Sequence, residues 1–137
     1  IGTADQPHFV DPSAQSGIEH RYTIVALEGQ AESLASAVVK ITPVDTFAPS
    51  TPTGVTALAG PDSIEVSWRR SPESDTQGYF VYRSVNAAPF ERQGALVTLP
   101  AYSDRKVEHG KAYRYTISAV DKSNNESDKS SPAEAAF

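Results

Sequence analysis

The sequence predicts an all-β chain: an antiparallel sandwich of seven strands, preceded by a partial sandwich of about three strands. Three observations carry this. In SIEVSWRR, Ile64, Val66 and Trp68 alternate with Ser63, Glu65 and Ser67, and in AYRYTISAV, Tyr113, Tyr115, Ile117 and Ala119 alternate with Arg114, Thr116 and Ser118. That period of two is the mark of a strand with one apolar face. Turn-rich stretches separate the strands: SPESDTQG, NAAP and DKSNNES. No stretch shows a 3.6-residue apolar period, and the ten Pro and eight Gly are scattered as many short strands require.

The bulk composition allows a folded core and narrows the role. Of 137 residues, 39% are hydrophobic and 9% aromatic, enough for an ordinary domain plus a fragment. The net charge of −5 comes from interspersed acids and bases. Without a basic stripe a nucleic-acid partner is not expected, because the phosphate backbone demands clustered Lys and Arg. No run of 18 apolar residues could span a membrane. With no Cys and three His, neither a disulfide framework nor a structural zinc site is expected.

An internal repeat organises the chain. At an offset of 93 residues, Pro7 matches Pro100, Asp11 matches Asp104, and Gly17 matches Gly110. Arg21, Tyr22, Thr23, Ile24 and Ala26 match Arg114, Tyr115, Thr116, Ile117 and Ala119. One residue is then gained, and Glu32, Ser33 and Ser36 match Glu126, Ser127 and Ser130. A repeat this long is a domain length rather than a solenoid period. The expected organisation is therefore the back half of one domain over residues 1–41, a Pro-rich linker over 42–53, and a complete domain over 54–137. Pro43, Pro49 and Pro52 stiffen the linker.

Residues 48–137 resemble a fibronectin type III domain, an immunoglobulin-like sandwich. The resemblance rests on Pro49 and Pro52 leading into GVTAL, on Trp68 ending the second strand, and on GYFVYR as the third. It rests most on VEHGKAYRYTISAVD, where Tyr113 follows Gly110 as in a tyrosine corner, and on DKSNNES followed by SSP. Trp68, Tyr79, Tyr113 and Tyr115 are the expected structural anchors. Residues 1–47 resemble only the C-terminal half of such a domain, with His20 in place of Tyr113, so that corner is weakened or carried by an imidazole hydrogen bond. The resemblance implies tandem modules in a bacterial protein that is secreted or held at the cell surface, with a lipid anchor in the full-length protein as one route.

Residues 1–41 pose a physical problem. Tyr22, Ile24 and Ala26 should face a core, yet two or three strands cannot close a sandwich. Self-association or fragment complementation through residues 1–41 is the expected remedy, the favoured form being a homodimer of two half-sandwiches.

No catalytic, cofactor or metal site is expected. His8, His20 and His109 sit beside no nucleophile motif, and Glu73 and Asp75 share a turn without a cleft. Asp121, Ser123 and Asn125 have the oxygen spacing that opens a calcium loop, but its glycine and distal glutamate are missing. A hairpin with Asn124 or Asn125 at positive φ explains them better. The candidate binding surface is Phe80, Tyr82, Arg83 and Arg114, an outward aromatic and guanidinium group that could take a sugar ring or a protein. The more ordinary reading of those residues is a cross-strand stack that covers the sheet. The expected function is a non-catalytic spacer and protein-interaction module, with a carbohydrate-binding accessory module as the alternative.

Overall fold

The computed structural model describes residues 1–137, and the chain divides into two compact units, Ile1–Asp45 and Thr46–Phe137. Every regular element is a strand.

In the first unit, β1 (His20–Tyr22) pairs antiparallel with β4 (Val39–Ile41), Tyr22 lying opposite Val39 and His20 opposite Ile41. β2 (Leu27–Glu28) and β3 (Ala31–Glu32) form a short hairpin around Gly29, whose φ of 63° suits the turn. At the corner before β1, the Gln15 amide donates to His20 Nε2 at 3.0 Å, so an imidazole does take the place of a phenol. Residues 8–11 lie outside any strand. Of the side chains expected to face a core, Tyr22 is half-buried, but Ala26 is exposed and Ile24 is 75% exposed.

The second unit contains seven strands in two sheets. One has the order β11 (Ala133–Ala136), β10 (Ala112–Asp121), β7 (Thr76–Val85), β8 (Glu91–Arg92). The other has the order β5 (Thr56–Ala59), β6 (Ile64–Ser67), β9 (Ala101–Asp104). Strict alternation sends Ile64, Val66 and Trp68 from one sheet against Tyr79, Val81, Tyr113, Tyr115, Ile117 and Ala119 from the other. All of these are buried, and Tyr115 and Ile117 are fully enclosed. Full burial of such side chains is worth about 1.5–3 kcal/mol each, and this interleaved layer is the main source of cohesion.

Local chemistry sets the boundaries. β7 and β10 run in register from Tyr113 opposite Val85 to Val120 opposite Gly78, where the register shifts. Gly78 is needed there, since a Cβ would lie 2.6 Å from the Val97 carbonyl oxygen. Beyond β10, Asn124 takes a φ of 65°. Asp121 Oδ1 accepts the amides of Ser123 and Asn125, each at 2.8 Å, so the carboxylate organises the hairpin. The Pro-rich stretch is partly tied into this unit: Thr53 accepts the Arg69 amide at 2.9 Å, and the Ser50 amide donates to Glu73 at 3.0 Å.

Candidate functional site

The outer face of the β11–β10–β7–β8 sheet holds the candidate surface. Because Tyr79 and Val81 point inward, Phe80 and Tyr82 point outward, and antiparallel pairing sets Ser118 opposite Phe80 and Thr116 opposite Tyr82. Arg114, opposite Ser84, shares the face and reaches the Ser84 hydroxyl at 3.4 Å.

These aromatic rings are covered. The Arg92 guanidinium lies 4.5 Å from the Phe80 ring centre, and the Lys129 ammonium lies 4.4 Å from that of Tyr82. Arg114 stands over Phe90 at 5.4 Å. Such contacts are worth about 0.5–1 kcal/mol at accessible sites, and each occupies the flat face that a ligand ring would need. The Tyr82 hydroxyl is engaged as well, donating to Glu126 Oε1 at 2.6 Å, while the Ser118 hydroxyl donates to the same oxygen at 2.5 Å. Burial and the Glu126 carboxylate hold the Tyr82 phenol above its ordinary pKa. Burial pushes Glu126 up, but the Ser118 and Tyr82 hydroxyls and the nearby cations outweigh it, and the carboxyl stays below its ordinary value.

Arg83 does not belong to this face. Its position in β7 has the parity of Tyr79 and Val81, so its side chain enters the core side of the sheet. There Nη1 donates to Asp104 Oδ2 and to the Lys106 carbonyl, both at 2.9 Å, and the guanidinium lies 5.7 Å from the Tyr113 ring centre. Asp104 is 1% exposed and also accepts the Tyr115 hydroxyl at 2.9 Å and the Lys106 amide at 3.0 Å. The carboxylate is thus both a local turn cap and the hub of a buried network. The sequence signal for the hub was the Asp–Tyr pair shared by both repeats, Asp11 with Tyr22 and Asp104 with Tyr115.

The four anchors lie in the core. Trp68 and Tyr79 meet edge to face, with ring centres 5.3 Å apart, and the Tyr79 hydroxyl accepts the Ser71 amide at 2.7 Å. The Tyr113 hydroxyl accepts the Glu108 amide at 2.8 Å and so closes the corner. The histidines are spread through the chain: His20 serves its corner and His109 stacks on Phe137 at 4.5 Å. Glu126, Lys129, Arg92 and Phe90 were not foreseen as parts of the outer face. They sit in turns and short edges, where alternation gives no orientation.

The seven-strand order and the buried Tyr113 corner are those of one sandwich type. Residues 46–137 form a fibronectin type III domain. A solved fibronectin type III-like protein from Clostridium thermocellum shares 28% identity at a TM-score of 0.57, covering 64% of this chain and 92% of its own. No family model matches the chain. Among curated relatives, an amylopullulanase of Thermoanaerobacterium saccharolyticum is 38% identical over 87 residues, 63% of this chain and 7% of that protein. Exoglucanase B of Cellulomonas fimi is 30% identical over 134 residues, 91% of this chain and 12% of that protein. The chain therefore spans only a small part of the relatives that it matches.

Proposed function

We propose that this chain is a non-catalytic accessory module of a secreted, carbohydrate-active bacterial enzyme, acting as a stiff spacer that also contacts neighbouring protein. The observation that carries this reading is the closure of the outer face. Phe80 and Tyr82 lie under Arg92 and Lys129, and the Tyr82 hydroxyl is held by Glu126. A sugar ring would have to displace cations and break a charge-assisted hydrogen bond before it could stack. The relatives support the setting, since their matched regions are small parts of an amylopullulanase and an exoglucanase. Secretion is part of the same proposal, and the Pro-rich stretch at residues 42–53 supports the stiffness.

The test is a calorimetric titration with soluble maltooligosaccharides and cellooligosaccharides, together with retention on starch and cellulose. No saturable binding is expected. Retention that Tyr82→Ala abolishes would overturn the spacer reading and establish the carbohydrate-binding one.

A further inference from the structure

Three cations stand in a row along β7. Phe80, Tyr82 and Ser84 occupy alternate positions of that strand on its outer side, so they repeat every ~7 Å. Arg92 lies over the Phe80 ring, Lys129 over the Tyr82 ring, and Arg114 reaches the Ser84 hydroxyl. Each cation therefore marks one step of the row. Arg92 comes from β8, Arg114 from β10, and Lys129 from outside any strand.

None of the three enters an ion pair, since those of this unit are Arg83–Asp104 and Lys111–Glu108. Two acids share the face without neutralising the row. Glu126 accepts the Tyr82 and Ser118 hydroxyls, and Glu134, opposite Arg114 in the ladder, pairs with no cation. Arg92 and Lys129 are exposed, and Arg114 is half-buried. A guanidinium held over a ring is fixed in place, and its N–H fork remains a match for a carboxylate. Beside Arg114 runs an open trough of about 440 Å³, lined by the small side chains of Ala87, Ala112 and Ala136 together with Asn86 and Glu134. A ligand side chain can come alongside the guanidinium there.

An extended peptide repeats its same-side side chains at the same ~7 Å. We propose that this row docks an extended acidic segment of a neighbouring protein, with carboxylates at three alternate positions meeting Arg92, Lys129 and Arg114. The proposal rests on the reading that the module contacts neighbouring protein, and it gives that contact its chemistry. An acidic polysaccharide fits less well, because the ring faces on which sugars stack already lie under cations. Carboxylates need only the free side of those cations, and no cover has to be displaced. The net charge of −5 offers an anion no general attraction, so the spacing carries the selectivity.

The test is an NMR titration of isotope-labelled chain 1–137 with the peptide Ser-Glu-Ser-Glu-Ser-Glu-Ser. Saturable shifts should gather on β7, β10 and the side-chain signals of Arg92 and Arg114. The peptide Ser-Ser-Glu-Glu-Glu-Ser-Ser has the same composition and the wrong spacing, and should bind about tenfold more weakly. Arg92→Gln and Arg114→Gln should each weaken the first peptide about tenfold, through loss of one charge-assisted contact. Arg105→Ala, near Glu65 of the other sheet, should leave its binding unchanged. Should a glutamine variant unfold, Ala136→Leu narrows the trough, keeps every cation and should still weaken binding. Equal affinity for the two peptides, or no saturable shift with either, overturns the proposal. So does binding of polygalacturonate in place of the peptide, which would assign the cations to an acidic polysaccharide. Failure of the spacer reading shows separately, as retention on starch or cellulose, which carry no carboxylate.

Discussion

The Tyr115 hydroxyl donates to Asp104 Oδ2 at 2.9 Å inside the sandwich, and Arg83 Nη1 reaches the same oxygen at 2.9 Å. One carboxylate oxygen thus joins the two sheets, since Asp104 ends β9 while Tyr115 and Arg83 lie on β10 and β7. Tyr115→Phe removes one donor to a buried charge and should cost about 1.5–3 kcal/mol, read from urea unfolding. Tyr22→Phe, the matching change in the half-buried Tyr22–Asp11 pair, should have a smaller effect.

The same hydroxyl makes stability depend on alkaline pH. Burial first, and then the hydrogen bond to Asp104, hold the Tyr115 phenol far above its ordinary 10.0. In the unfolded chain the phenol ionises near that ordinary value, so the unfolded state releases a proton that the folded state keeps. The contribution of this group is complete below about pH 10 and shrinks as pH rises further, at about 1.4 kcal/mol per pH unit. Unfolding curves between about pH 9 and about pH 11, one unit either side of that onset, should show a shallower decline for Tyr115→Phe than for the parent.

Arg83→Ala should cost more than Tyr115→Phe. Asp104 is 1% exposed, and removal of the guanidinium leaves its charge enclosed with only neutral donors. Breaking a buried pair from one side typically costs about 3–5 kcal/mol. Thermal denaturation should show the loss, and Arg83→Lys should recover only part of it, because a compact ammonium cannot reproduce the reach to both Asp104 and the Lys106 carbonyl.

Ser130→Ala should leave the Ile117 amide without its acceptor inside the protein. The bond is 3.0 Å long and buried, and an orphaned buried donor costs about 1–3 kcal/mol. The Ile117 amide should also exchange faster than its neighbours on β10 in the variant.

Gly78→Ala should destabilise by about 1–3 kcal/mol through overpacking, because the new methyl would press on the Val97 backbone at 2.6 Å. Gly60→Ala, where the nearest atom stands at 3.4 Å, should be milder. Comparison of the two melting temperatures checks this.

The fold was legible because its main signals are local. Alternation alone placed Ile64, Val66 and Trp68 against Tyr79 and Tyr115, and the Asp-Lys-Ser-Asn-Asn run announced a hairpin that the structure closes at Asn124. The outward direction of Phe80 and Tyr82 was equally legible, since it follows from the inward direction of their neighbours. Arg83 was misplaced because its charge suggested solvent although its parity pointed to the core. Its partner Asp104 lies on another strand and pairs with it only through tertiary packing. The cations over Phe80 and Tyr82 were hidden for a related reason: Arg92 sits in a two-residue strand and Lys129 lies in no strand, so no period orients them. The exchange of a phenol for an imidazole at His20 could be read from the repeat, because both side chains can accept the same backbone amide.

Beyond the reach of β11, the margin of β10 is finished by two hydroxyls rather than by another strand. The oxygens of Ser127 and Ser130 take the amides of Ala119 and Ile117 and pass their own protons to the next carbonyls, those of Asp128 and Ser131. A foreign strand that approaches this margin finds its hydrogen-bonding groups already consumed and no straight template to extend. For modules strung close together along one polypeptide, such a blunted rim keeps like sheets from zipping into their neighbours.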